Sequence, residues 1–97
     1  MPTFVSLINW TEQGVANAKN TVTRSEDAKR AATAMGGSIK DIYWTVGPYD
    51  LVTVAEFPDD ASATAFLLTL AGAGNLRSTT MRGFNADEMS QILAKMP

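Results

Sequence analysis

Histidine and cysteine are both absent from this chain, and the two absences exclude whole classes of chemistry. No Ser–His–Asp or Cys–His triad can be assembled, no imidazole can act as a general base, and no proximal histidine can hold a haem. A conventional zinc site falls on the same ground. Any metal would be a hard cation held by carboxylate and carbonyl oxygens. No motif marks such a site, so neither a metal nor a cofactor is expected. A disulfide framework is impossible, and the redox compartment cannot be read from thiols.

Basic charge is also sparse. Eight Lys and Arg stand against ten Asp and Glu, for a formal net charge of −2, and the basic residues are scattered among acids. Phosphate contacts need clustered Lys and Arg, so no nucleic-acid partner is expected, and no membrane surface either. Long apolar runs are missing: nothing approaches the length that crosses a bilayer. The stretch Thr3–Trp10 is apolar but short, lacks a basic flank and alternates, so it is expected to be a strand rather than a leader. A cytoplasmic setting is the corresponding expectation.

What is present suits one globular domain over residues 1–97, with 45% hydrophobic and 19% charged residues. Thr3–Trp10 places Phe4, Ser6, Ile8 and Trp10 on one face and Val5, Leu7 and Asn9 on the other. Thr11 is the natural N-cap of a following helix, with Glu12 beside its positive end. Val15, Ala18, Val22, Ala28, Ala32 and Met35 continue at helical spacing. Thr23 and Glu26 have the spacing of a capping box, which predicts a break near Asn20–Thr23 and a fresh helix that Gly36-Gly37 ends.

Ser38–Val46 predicts a second strand, with Ile42, Trp44 and Val46 on one face and Ile39, Asp41, Tyr43 and Thr45 on the other. Gly47-Pro48-Tyr49-Asp50 is a turn, and Leu51–Phe57 a third strand antiparallel to the second. Pro58-Asp59-Asp60 opens a helix whose stripe is Ala63, Phe66, Leu67 and Leu70. Gly72 and Gly74 close it, and Leu76–Gly83 is the fourth strand. Asn85 and Glu88 form a second capping box before a short amphipathic helix carrying Met89, Ile92, Leu93 and Met96.

The order is β-α-β-β-α-β with a C-terminal helix, the α+β arrangement of a ferredoxin-like fold. Helices on one side of a four-stranded sheet leave the other side bare. Here both faces of the third strand carry apolar residues, and soluble monomers avoid large exposed apolar patches. A second copy packed on that face solves the problem, so a homodimer or larger homo-oligomer is expected.

The segment Tyr43-Trp44-Thr45-Val46-Gly47-Pro48-Tyr49-Asp50-Leu51-Val52 resembles the signature of the GYD domain family, with Gly47, Tyr49 and Asp50 where the name motif falls. Gly74–Arg82 is similar to that family's last strand, and Asn9–Gly14 to its first strand-to-helix junction. The resemblance spans essentially the whole chain. It implies a ferredoxin-like fold of the dimeric α/β-barrel type in small bacterial proteins, and it brings no catalytic residues to carry over.

Chemistry must therefore be sought among few residues. Glu12, Glu26, Asp27, Asp59, Asp60, Asp87 and Glu88 lie at predicted helix starts, where capping and the helix dipole explain them. Asp50 either fixes the turn or lies at a pocket mouth with Tyr49. Glu56, facing inward, would be a general base; otherwise it is a strand-end residue that reaches water or pairs with a cation. Trp10, Tyr43, Trp44 and Tyr49, with Asn9, either pack a core and dimer contact or line an aromatic ligand pocket between sheet and helices. Arg77 and Arg82 point to opposite faces of a regular strand; each makes an ion pair or dimer contact, or Arg77 binds a ligand carboxylate. The leading function is a small-molecule binding or structural module. The alternative is a cofactor-independent monooxygenase or isomerase of a small aromatic or polyketide-like substrate, resting on fold analogy.

Overall fold

A computed structural model describes residues 1–97. In chain order the elements are β1 (Thr3–Trp10), α1 (Glu12–Ala16), a 3-10 turn (Ala18–Asn20), α2 (Thr21–Ala34), β2 (Ser38–Trp44), β3 (Leu51–Glu56), α3 (Asp60–Gly72), β4 (Leu76–Gly83) and α4 (Ala86–Leu93). The four strands form one sheet in the order β2-β3-β1-β4, with every neighbouring pair antiparallel. That order, reached through the two helical crossovers α2 and α3, is the ferredoxin-like α+β fold the element order predicts. No helix is long and apolar enough to cross a membrane.

Alternation along β1 decides which side the helices cover. Phe4, Ser6 and Ile8 are buried while Val5, Leu7 and Asn9 are half-exposed. Leu51 and Ala55 of β3 share the buried side. The core gathers at one end of that side, where Phe4, Phe57 and Phe66 meet Ala32, Ala55 and Ala63. Phe57 lies edge-on to Phe4 and tilted against Phe66, with ring centroids 6.4 and 5.1 Å away. Both are favoured geometries for aromatic quadrupoles.

Helix ends follow local chemistry in most places. The Thr11 hydroxyl accepts from the Gly14 N–H and caps α1, and the Asp59 carboxylate accepts from the Ser62 N–H at 2.7 Å and caps α3. Asn85 and Glu88 make the reciprocal capping box of α4. At the end of α2, Gly37 N–H donates to the Ala32 carbonyl and Gly36 N–H to that of Thr33, with Gly36 at φ +83°. This is a Schellman ending, and the left-handed conformation favours glycine there.

Three expectations need correction. The break before α2 is real, but the long helix begins at Thr21 with no side-chain cap, and Thr23–Glu26 form no capping box. The 3-10 turn already delivers the chain in helical conformation, so Thr23 sits inside the helix rather than at its start. Glu26 and Asp27 consequently pair along α2 with Lys29 and Arg30 instead of marking a helix start. In β2 the register shifts between Ile39 and Asp41. The extra residue brings Ile39, opposite Ala55, onto the same side as Ile42, opposite Thr53. The strand also ends at Trp44, and residues from Thr45 to Asp50 form a longer loop than a four-residue turn.

Candidate functional site

Asp50 anchors the junction where β1 leaves the sheet. Its Oδ2 accepts from the Trp10 N–H at 2.9 Å, its own N–H donates to the Ile8 carbonyl, and its carbonyl accepts from the Thr45 N–H. One residue thus ties the β2–β3 loop to the end of β1, which is the turn-fixing role of an aspartate. Glu56 points to the helix-free side, opposite Thr3, with Lys40 Nζ 3.6 Å away. Asp50 is committed to the Trp10 N–H, while Glu56 has only this long, partly exposed contact with Lys40.

The aromatic residues do not converge. Trp44 faces the helices and its Nε1 donates to Thr21 Oγ1 at 3.0 Å, holding β2 to the start of α2. Tyr43, adjacent in sequence, faces the opposite side and is 62% exposed. Tyr49 lies in the loop after β2, and the indole N–H of Trp10 is buried with no hydrogen-bond partner. Asn9 and Arg77 are paired neighbours on the helix-free side. Arg82 sits on the helix side instead, stacked over Phe84 with its guanidinium 4.6 Å from the ring centre and near Glu88.

Two features remain once these residues are placed. The first is the helix-free sheet face. Register puts Val5 beside Val54 and Met81, and Leu7 beside Val52, so these five side chains form a continuous apolar field across three strands. Asp41, Tyr43, Glu56, Asn9, Thr79 and Arg77 surround it. Acid and base stand at opposite corners: Asp41 and Glu56 toward the β2 edge, Arg77 at the far end of β4.

The second is a cavity of about 340 Å³ between the sheet and helices α2 and α3. Ala28, Ala31 and Ala63 reach it from the helices, and Ile39, Ile42 and Ile8 from the sheet. None of Trp10, Tyr43, Trp44, Tyr49 or Asn9 lines it. Its floor carries Ser6, Thr53 and Thr80, one from each of three adjacent strands and all in register. Sequence reasoning passed over them. The signal was a Ser and a Thr interrupting the apolar sets Phe4-Ser6-Ile8 and Leu51-Thr53-Ala55.

The family model described as the GYD domain matches residues 4–93. The chain belongs to the GYD domain family. A relative from Thermus thermophilus, named glutamine synthetase and cystathionine beta-lyase binding protein, is 32% identical over 97 residues, covering 99% of each chain. A crystal structure of a protein from the same organism superposes with a TM-score of 0.55 at 23% identity, over 89% of this GYD chain and 96% of that one. That last likeness is one of fold.

Proposed function

We propose that this GYD protein is a non-catalytic binding module, a homodimer or larger homo-oligomer closed through its helix-free sheet face, that docks on metabolic enzymes. The apolar field of Val5, Leu7, Val52, Val54 and Met81 carries the proposal. No element of the chain covers it, and Met81 alone is 46% exposed. Only ten of 97 residues are buried, so the isolated chain has a thin core that a second copy would deepen. The field is also self-complementary in charge. A copy related by a two-fold axis lying in the face would bring the Arg77 corner onto Asp41, since Glu56 beside it already has Lys40 near it, an isologous contact of the kind that closes a dimer. The barrel architecture follows from such a pair.

Support for protein partners comes from the Thermus relative, which is named for two enzymes it binds and aligns along nearly the whole of both chains. Support for a non-catalytic role comes from where the acids lie. Glu56 stands on the helix-free side near Lys40, Asp50 holds the Trp10 N–H, and neither lines the cavity between sheet and helices, so a monooxygenase or isomerase reading lacks a candidate base there.

The test is direct binding. The full chain is immobilised, and purified glutamine synthetase and cystathionine β-lyase from its own source are passed over it. Saturable binding to one of them at micromolar or tighter affinity is expected. Binding to neither would remove the enzyme-docking role.

A further inference from the structure

The cavity between the sheet and helices α2 and α3 stands apart from the docking proposal and has a chemistry of its own. We propose that it is a binding site for a small, uncharged, mainly apolar molecule bearing one hydroxyl or carbonyl group, recognised by the hydroxyl row Ser6–Thr53–Thr80.

Space comes first. At about 340 Å³ the cavity falls in the lower part of the range that small-molecule sites occupy. It exists because α2 and α3 present alanines, Ala28, Ala31 and Ala63, over that part of the sheet. Larger residues there would pack to ordinary interior density, and leaving them out forgoes dispersion contacts along the whole wall.

Polarity comes next. Along the sheet, the row on one side of the hydroxyls holds Leu51 and Ile8, and the row on the other holds Ala55 and Phe4. Three hydroxyls in register across β3, β1 and β4 interrupt that floor, which is apolar on β3 and β1 and gives way on β4 to Ser78 and Arg82. Ser6 is 5% exposed, the one buried polar side chain of the chain, and its Oγ lies 2.8 Å from Thr80 Oγ1. A pair of hydroxyls bonded to each other spends one proton and keeps the other, along with spare lone pairs. Thr53 makes no side-chain hydrogen bond within the protein and lines the same cavity. The floor therefore offers both donors and acceptors to a polar group arriving from above. The Thr53 hydroxyl is open to the cavity rather than sequestered, so a ligand oxygen can take the place of water on it.

Charge sets the class. The two charged residues at the cavity are Arg24 and Asp27, both on α2. Arg24 donates to the carbonyls of Asn17, at 2.6 Å, and Gly14, at 3.4 Å, while Asp27 is paired with Arg30. The Arg24 guanidinium is held toward those neutral carbonyls at the start of α2, no charged side chain stands in the hydroxyl row itself, and burying an unpaired ligand charge there would be expensive. A neutral head group fits; a carboxylate does not.

The test uses three probes of one shape: 2-naphthol, naphthalene and 2-naphthoate, titrated into the full-length protein and followed by backbone amide shifts. Expected are saturable shifts at Ser6, Thr53, Thr80 and Ala28, with 2-naphthol binding about ten-fold more tightly than naphthalene, the size of one net hydrogen bond. Naphthoate should bind no better than naphthalene. The near-isosteric Thr53→Val should erase the naphthol preference while naphthalene affinity holds, which also shows that the variant is folded. The proposal is overturned if naphthoate binds best, if the naphthol preference survives in Thr53→Val, or if no probe moves the cavity amides. None of these results bears on enzyme docking, which is read by protein–protein binding alone.

Discussion

Asp50 and Asp59 spend their carboxylates in the same way, on backbone N–H groups, and neither is left for chemistry. Asp50 was visible in the sequence as a turn residue, although its partner, Trp10 forty positions away, could not be. Asp59 was visible as a helix start. The Ser62 backbone N–H, and then its hydroxyl, donate to the Asp59 carboxylate and hold its pKa below the ordinary aspartate value. The sign of the pH effect follows. A lowered folded pKa favours the ionised form in the folded state, so its stabilisation is full above the ordinary carboxylate value. It is lost as pH falls through the lowered one. Asp59→Ala should melt below the parent at pH 7, and the gap should narrow at pH 3 and below. A gap in melting temperature that stays constant between pH 7 and 2.5 would show that the carboxylate charge contributes nothing. The aromatic residues show the opposite limit of legibility. Trp10, Tyr43, Trp44 and Tyr49 are near one another in the strand-end pattern, but adjacent Tyr43 and Trp44 must face opposite sides of a strand, and so they cannot share one pocket.

Most elements defined by local spacing were readable in advance, and so was the β2–β3 hairpin, but irregularities of register were not. The Asn85–Glu88 capping box needs only two residues three apart, and it forms as the spacing predicts. Thr23–Glu26 has the same spacing and fails, because the 3-10 turn upstream starts the helix first. In β2 no local signal announces the irregularity at Lys40; it arises from register with β3, and it alone brings Ile39 to the cavity side. The helix-α4 cap gives a sharp check, since no residue of that helix is buried and the box satisfies its first N–H groups. Asn85→Ala should cost α4 about 1 kcal/mol. Amide exchange across 86–93 should then quicken about five-fold, the factor that energy represents, while strand amides keep their protection. Equal acceleration in the sheet would mean that α4 is part of the global folding unit.

At the scale of the molecule, the strand order β2-β3-β1-β4 puts both crossover helices on one side and leaves the other to Val5, Leu7, Val52, Val54 and Met81. This bare apolar face was foreseen from alternation in the third strand, because a period of two cannot hide both sides of a strand under a single helix layer. The occupant of the face was less legible, since nothing in one chain's pattern records a second chain. Native mass spectrometry of the intact chain at low micromolar concentration, beside Val54→Asp, tests the self-association most directly. The prediction is a species at twice the chain mass for the parent and a folded monomer for Val54→Asp, whose carboxylate would be buried at the centre of the contact. A parent chain that stays monomeric, or a Val54→Asp chain that stays dimeric, would contradict closure through this face.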